Sequence, residues 1–163
     1  MMKVIRSTQK KYYFELNGFI LLDNHFHLLI KTLPGQANIS KIMHRIKFMF
    51  AKMYNKHTGR TGPFWNERFK SEIVEHVKDA ANYLLYLLLK IGYNSFRKGK
   101  VRDPRDEEYS SFNCYLNESY KCKLKITLHS VFISLGNSFQ ERVKKFLSFE
   151  KSYREELAFS YPL

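Results

Sequence analysis

Apolar and polar positions along the chain alternate with two different periods, and the change of period marks its elements. Tyr12 to Leu22 reads as a strand, followed by the turn-favouring pair Asp23-Asn24 and a second apolar run, His25 to Thr32. With a repeat of two, His25 and His27 share one face of this second strand, and Phe26, Leu28 and Ile30 share the other. Leu33 to Ala37 is a loop, after which Asn38 or Ser40 can cap a helix running to about Lys56. Ile39, Ile42, Met43, Ile46, Phe50 and Met53 recur at helical spacing and predict its buried stripe. Thr58 to Pro63 is a loop, Lys70 to Glu75 reads as a further strand, and Asp79 opens a second helix. That helix is apolar nearly all round from Tyr83 to Ile91, loosens at Gly92 and ends near Asn94-Ser95. Beyond Cys122 two helical patterns are expected, Leu128 to Leu135 and Phe139 to Leu157. Met1 to Lys11 reads as a helix end or loose arm. The order strand, strand, helix, strand, helix fits an α+β layer with helices on one face of an antiparallel sheet.

Charge narrows the function. The 163-residue chain carries 28 Lys and Arg against 15 Asp and Glu, a formal net charge of +13. Such an excess repels itself unless a polyanion neutralises it, so nucleic acid is the leading partner. The helix predicted from Asn38 sharpens this. Lys41, Arg45, Lys52 and Lys56 fall within a sector of about 60°, with Phe48 beside them. From Lys41 to Lys70 there are eight Lys or Arg and a single acid, Glu67. Solvated faces usually mix signs, whereas a one-signed stripe suits a phosphate backbone. A second basic run holds Arg97, Lys98, Lys100, Arg102 and Arg105. Cys114 and Cys122 form neither a disulfide framework nor a zinc spacing, which points to a reduced, cytoplasmic protein. Met1 to Lys11 lacks the apolar centre of a leader, and Tyr83 to Ile91 is far shorter than the roughly 20 residues that span a bilayer, so no membrane association is expected.

Four stretches, in order, resemble one family. Leu22-Asp23-Asn24-His25-Phe26-His27-Leu28-Leu29-Ile30 is similar to the Met-Pro-Asn-His-x-His-Leu-Leu signature of single-tyrosine transposases of the His-hydrophobic-His class, and in particular of REP-associated tyrosine transposases and their domesticated relatives. Lys56-His57-Thr58-Gly59-Arg60-Thr61-Gly62-Pro63-Phe64-Trp65-Asn66-Glu67-Arg68-Phe69-Lys70-Ser71 resembles the family's Gly-aromatic-x-x-x-Arg-Phe-Lys-Ser segment. Asn94 to Val101 resembles Asn-Pro-Val-Arg-Ala-Gly-Leu-Val, and Asp103-Pro104 to Tyr109-Ser110-Ser111 resembles Asp-Pro-x-x-Tyr-x-x-Ser-Ser. The stretch Ile126 to Asn137 is similar to the C-terminal extension of one branch.

The resemblance implies a ferredoxin-like sheet over residues 1–120, N-terminally shortened so that its first strand is missing, and a helical extension over 121–163. It implies DNA transposition: metal-dependent cleavage and transfer of single-stranded or hairpin DNA through a phosphotyrosine. Its metal ligands map onto His25, His27 and Asn94, with Mg²⁺ or Mn²⁺ as the ion. DNA contacts are expected from Lys41, Arg45, Lys52, Lys56, Arg60, Arg68, Lys70, Arg97 and Lys98, and a homodimer is compatible with the family. The nucleophile is where the chain departs. Counting back from Asn94 puts Lys90 at the family's tyrosine position, whereas counting forward from Arg68-Phe69-Lys70-Ser71 favours Tyr86, and Tyr93 lies nearly a turn beyond. The first count is preferred, because extra residues fit more easily in a loop than inside a helix. An ammonium is no nucleophile at neutral pH, so a non-catalytic, domesticated or degenerate nucleic-acid-binding protein is the alternative. A basic RNA-bound structural protein with core histidines is a third and weaker reading.

Overall fold

The computed structural model describes residues 1–160. At its centre is an antiparallel hairpin of β1 (Phe14–Leu21) and β2 (Phe26–Thr32), closed by a turn in which the Leu22 N–H donates to the His25 carbonyl at 2.9 Å. Leu16 pairs with Ile30 and Gly18 with Leu29, leaving Asn17 as a bulge between them. One extra residue reverses the alternation. Phe14 and Leu16 before the bulge therefore share a core with Phe19 after it. Asn17 is buried, and its polar groups are met: the amide donates to the Thr127 carbonyl at 2.8 Å, and its own carbonyl accepts from the Tyr115 hydroxyl at 2.6 Å.

Helices cover both faces of this hairpin. On one face lie α1 (Met2–Lys11) and α2 (Ile39–Thr58). Val4 and Ile5 of α1 and Ile42, Met43 and Ile46 of α2 pack with Phe14, Leu16 and Phe19, and Phe26, Leu28 and Ile30 join them. The N-terminal segment is thus a formed helix rather than a loose arm, because two adjacent branched residues find this core. Asn38 is the cap of α2, its side chain accepting from the Lys41 N–H at 2.9 Å, and Gly59, at φ 67°, ends the helix. The predicted stripe holds through Phe50, which is half-buried, but Met53 is 41% exposed. There Met53 lines an open groove between α1 and α2, with Lys3, Val4 and Ser7 on the α1 side.

The other face carries α3 (Ala80–Gly92), capped by the Asp79 side chain. Its Leu84, Leu85, Leu88 and Leu89 are buried, and Leu29 of β2 packs against them. A Cβ at Gly18 would stand 3.3 Å from Leu88 Cδ2, so the missing side chain lets α3 close on the strand. The order of the elements suggested helices on one face only; the bulge and Gly18 let a second layer pack on the other. A short α4 (Asn94–Arg97) follows.

The strand expected at Lys70 to Glu75 does not form. Val74–His76 is a 3₁₀ turn, Val74 tucks under α3, and Ile73 is 56% exposed. The free edge of β1, where a further strand could pair, is filled by residues distant in sequence. Leu21 N–H donates to the Tyr109 carbonyl, Ser111 N–H to Phe19, and Thr127 N–H to Leu16, all at 2.9 to 3.0 Å. Ile20 and Ser110 form one isolated bridge. The class is α+β, and this edge of β1 is covered by loop rather than by a further strand among the described residues.

The C-terminal part docks on α3. Phe132 of α5 (Ser130–Ile133) and Phe146 and Tyr153 of α6 (Phe139–Ser160) share its core, while Leu124 enters the opposite one. Residues 161–163 of the expected extension lie outside the described residues.

Candidate nucleic-acid interface and metal centre

His25 and His27 stand on the α3 side of the hairpin, as the strand alternation requires, with ring centroids 5.2 Å apart and planes at 85°. Asn24 Oδ1 lies 2.6 Å from His25 Nδ1, and Lys98 Nζ lies 2.9 Å from His25 Nε2. Lys98 can only donate, so Nε2 accepts and the ring proton sits on Nδ1, facing Asn24. Desolvation, then the charges of Lys98 and Lys100, lower the His25 pKa. Desolvation, then His25, Lys98 and Lys90, lower that of His27. Both imidazoles are therefore held neutral near pH 7, which is the ligating form.

The end of α3 and the chain just after it complete the surroundings. Lys90 is exposed, its ammonium 5.8 Å from the Tyr86 ring centroid and acting on His27. Tyr86 is 38% exposed, stacked on Tyr83 and edge-on to Tyr153 at 5.4 Å. Tyr93 is wholly buried, and its hydroxyl donates to Glu150 Oε1 at 2.5 Å. Burial and that carboxylate push the phenol well above its ordinary range, which removes Tyr93 as a nucleophile. Asn94 Oδ1 is buried without a hydrogen-bond partner. A partnerless amide oxygen and two neutral imidazoles are electron-pair donors of the kind a divalent ion takes, so this residue set fits such an ion in its chemistry. No group of three or more His, Cys, Asp or Glu suited to a metal occurs among the described residues.

The basic candidates divide into three places. Lys41, Lys52 and Lys56 are exposed along α2, Lys41 over the Tyr12 ring and the other two beside the groove against α1. Arg45 is half-buried, with its Nε unpartnered. Arg60, Arg68 and Lys70 sit on the loop after α2, where Phe64 and Trp65 pack on Phe50, and the Trp65 indole donates to the Lys47 carbonyl at 2.9 Å. Arg97 and Lys98 lie instead at the other centre: the Arg97 charge acts on Tyr153, and Lys98 touches His25. Lys100, paired with Asp23, also belongs there and was not among the predicted site residues. Its membership of the basic run was the available signal; its partner lies far away in sequence.

Fold and site together define a small basic α+β domain built on a paired-histidine hairpin. The chain belongs to the IS200-like transposase family: residues 1–86 of its 163 match the family model described as "Transposase IS200 like". It is similar to the solved "Structure of the REP associates tyrosine transposase bound to a REP hairpin", with a TM-score of 0.58 and 20% identity over 78% of this chain and 72% of that one, a likeness of fold. It is also 33% identical over 66 residues to the S-adenosylmethionine:tRNA ribosyltransferase-isomerase of Finegoldia magna (strain ATCC 29328 / DSM 20472 / WAL 2508), a match covering 40% of this chain and 19% of that enzyme. The chain thus spans about a fifth of the length of that curated relative. Among the described residues no helix is long and apolar enough to cross a membrane.

Proposed function

We propose that this protein binds single-stranded or hairpin DNA in the cytoplasm as a transposase-family protein whose strand-cleaving step is lost or strongly impaired. The observation that carries the reading is an exposed lysine, Lys90, at the position that counts to the family's nucleophile, on the helix that covers the histidine face of the hairpin. His25, His27 and Asn94 would hold Mg²⁺ or Mn²⁺, and such an ion supplies Lewis-acid polarisation of a phosphodiester when bound. Lys90 offers that phosphodiester an ammonium in place of a phenol. Tyr86, one turn earlier on the same helix, is engaged with Tyr83 and Tyr153, and residues 86 and 90 are about 6 Å apart along a helix axis, too far to exchange roles without a shift. The DNA path would run along Lys41, Arg45, Lys52 and Lys56 and the loop basics Arg60, Arg68 and Lys70 toward Arg97 and Lys98. Residues 1–120 form the family unit in this reading, with 121–163 as a helical extension.

The test is incubation with hairpin DNA and Mn²⁺, followed by denaturing electrophoresis for a covalent protein–DNA adduct. The natural chain should bind the DNA and give little or no adduct, while Lys90→Tyr should raise adduct formation. An adduct formed by the natural chain and abolished by Tyr86→Phe would overturn the assignment.

A further inference from the structure

Phe48 stands where the fold gains nothing from a large apolar ring. Ile46 belongs to the buried stripe of α2, and at 100° per residue Phe48 falls about 160° round the helix from it, toward solvent. The ring is 57% exposed. Its one ring contact among the described residues is the exposed His44 imidazole, with centroids 6.2 Å apart and planes at 8°. The neighbouring aromatic residues are used differently. Phe50, Tyr54, Phe64 and Trp65 pack on one another, and Lys47 is engaged by the Trp65 ring and the Glu67 carbonyl. On a helix the surface neighbours of residue 48 lie three and four positions away, which are His44, Arg45, Ala51 and Lys52. Two are cations, and Ala51 is small enough to leave the ring open on its side. No Asp or Glu occurs in the 20 residues of α2.

We propose that Phe48, with His44 beside it, is a stacking platform for an unpaired base of the DNA, and that Arg45 and Lys52 take the adjoining phosphates. This deepens the DNA-binding reading above and rests on it. A lone exposed apolar residue needs no partner; the parallel imidazole and the one-signed surround are what define one here. The partner must be flat where it meets the ring and anionic where it meets the cations. An unpaired nucleotide is both. A duplex keeps its bases stacked inside and offers only phosphates, and an acidic peptide brings charge without a broad π-face. Stacking is tolerant of base identity, since every base has a π-face, so the platform selects unpaired over paired DNA rather than a sequence. It is separate from the histidine pair, because α2 packs on the opposite face of the hairpin.

The experiment uses the full chain and fluorescence anisotropy across a salt series, with a labelled single strand, the same strand annealed to its complement, and a strand of abasic nucleotides. Phe48→Ala should weaken single-strand binding roughly tenfold at every salt concentration. It should leave the slope of log affinity against log salt unchanged, because stacking releases no counterions. Duplex binding should stay as it was. Lys52→Gln should behave in the opposite way and lower the slope by about 0.7. Phe48→Trp should keep the single-strand affinity, and its added emission should be quenched by the single strand and not by the abasic one. The ring faces solvent, so the urea midpoint of Phe48→Ala should match that of the natural chain, which excludes misfolding as the cause of the loss.

Natural single-strand affinity in Phe48→Ala would overturn the proposal, and if Lys52→Gln still lowers the slope, the broader DNA-binding reading stands while this inference fails. An equal loss on single strand and duplex would also overturn it, since the ring would then meet the sugar–phosphate backbone rather than a base. Polyglutamate that quenches the emission of Phe48→Trp as the single strand does would overturn it in favour of an acidic protein partner. A natural chain that binds no DNA at any salt would refute the broader reading and this inference with it.

Discussion

The C-terminal helix is joined to the site-bearing end of α3 by a buried carboxylate, and removing that carboxylate should be among the costliest single changes in the protein. Glu150 is 4% exposed and accepts from the Tyr93 hydroxyl at 2.5 Å and from Arg105 Nη2 at 2.7 Å. Breaking a buried ion pair costs about 3–5 kcal/mol when the surviving charge is stranded. Here Arg105 keeps Asp103 at 3.1 Å and about a third of its side chain in solvent, so Glu150→Ala belongs at the lower end, about 3 kcal/mol. Tyr93→Phe keeps the ring against Phe96, Phe112 and Tyr153 and removes one bond to a charged acceptor, worth about 2 kcal/mol. The two losses should not add. Once Glu150 is gone the Tyr93 hydroxyl is buried without a partner, so deleting it as well should recover about 1 kcal/mol or more. Urea unfolding of the natural chain, both single variants and the double variant, at constant m-value, measures this cycle. Additive losses, or a cost below about 1 kcal/mol for Glu150→Ala, would show that α6 is held by its apolar contacts alone.

Other consequences are separately measurable. Neutralising Lys41, Arg45, Lys52 and Lys56 together should flatten the salt dependence of single-stranded DNA binding by about 0.7 for each true phosphate contact, and an unchanged slope would place the DNA elsewhere. Gly92→Ala should destabilise the fold by about 1–3 kcal/mol in a thermal or urea melt, since the added Cβ would lie 2.4 Å from Phe112 Cδ2 in a closed core. His129 caps α5 by accepting the Val131 N–H on Nδ1, and desolvation, then Lys31, lower its pKa. The unfolded chain therefore takes up the proton first, so stability should be complete above about pH 6.5 and be lost as pH falls toward the folded pKa. His129→Asn, which can cap without titrating, should make the fall between pH 7 and 5 shallower; an unchanged fall would assign it to other groups.

Much of the local architecture was legible because it is encoded by neighbours. The period of two put His25 and His27 on one face, Asn38 announced its cap, and the run Tyr83 to Ile91 announced a helix with more than one buried side. The same periodicity misled at Lys70 to Glu75, where alternation alone cannot supply a partner strand, and at Met53, where the stripe outlasts the surface it packs on. The bulge at Asn17 reverses the alternation of β1, and it is held by Tyr115 and Thr127 from the far half of the chain.

The site divides along the same line. A strand repeat is a property of the backbone, so the sequence by itself paired the histidines; a helix repeat likewise drew the basic stripe of α2. Which lysines surround the histidines was decided only by tertiary structure. Lys98 reaches His25 across 73 residues and Lys100 reaches Asp23 across 77, through the docking of α3 on a face opened by Gly18. Contacts of that separation depend on how whole layers pack, and no local pattern carries them.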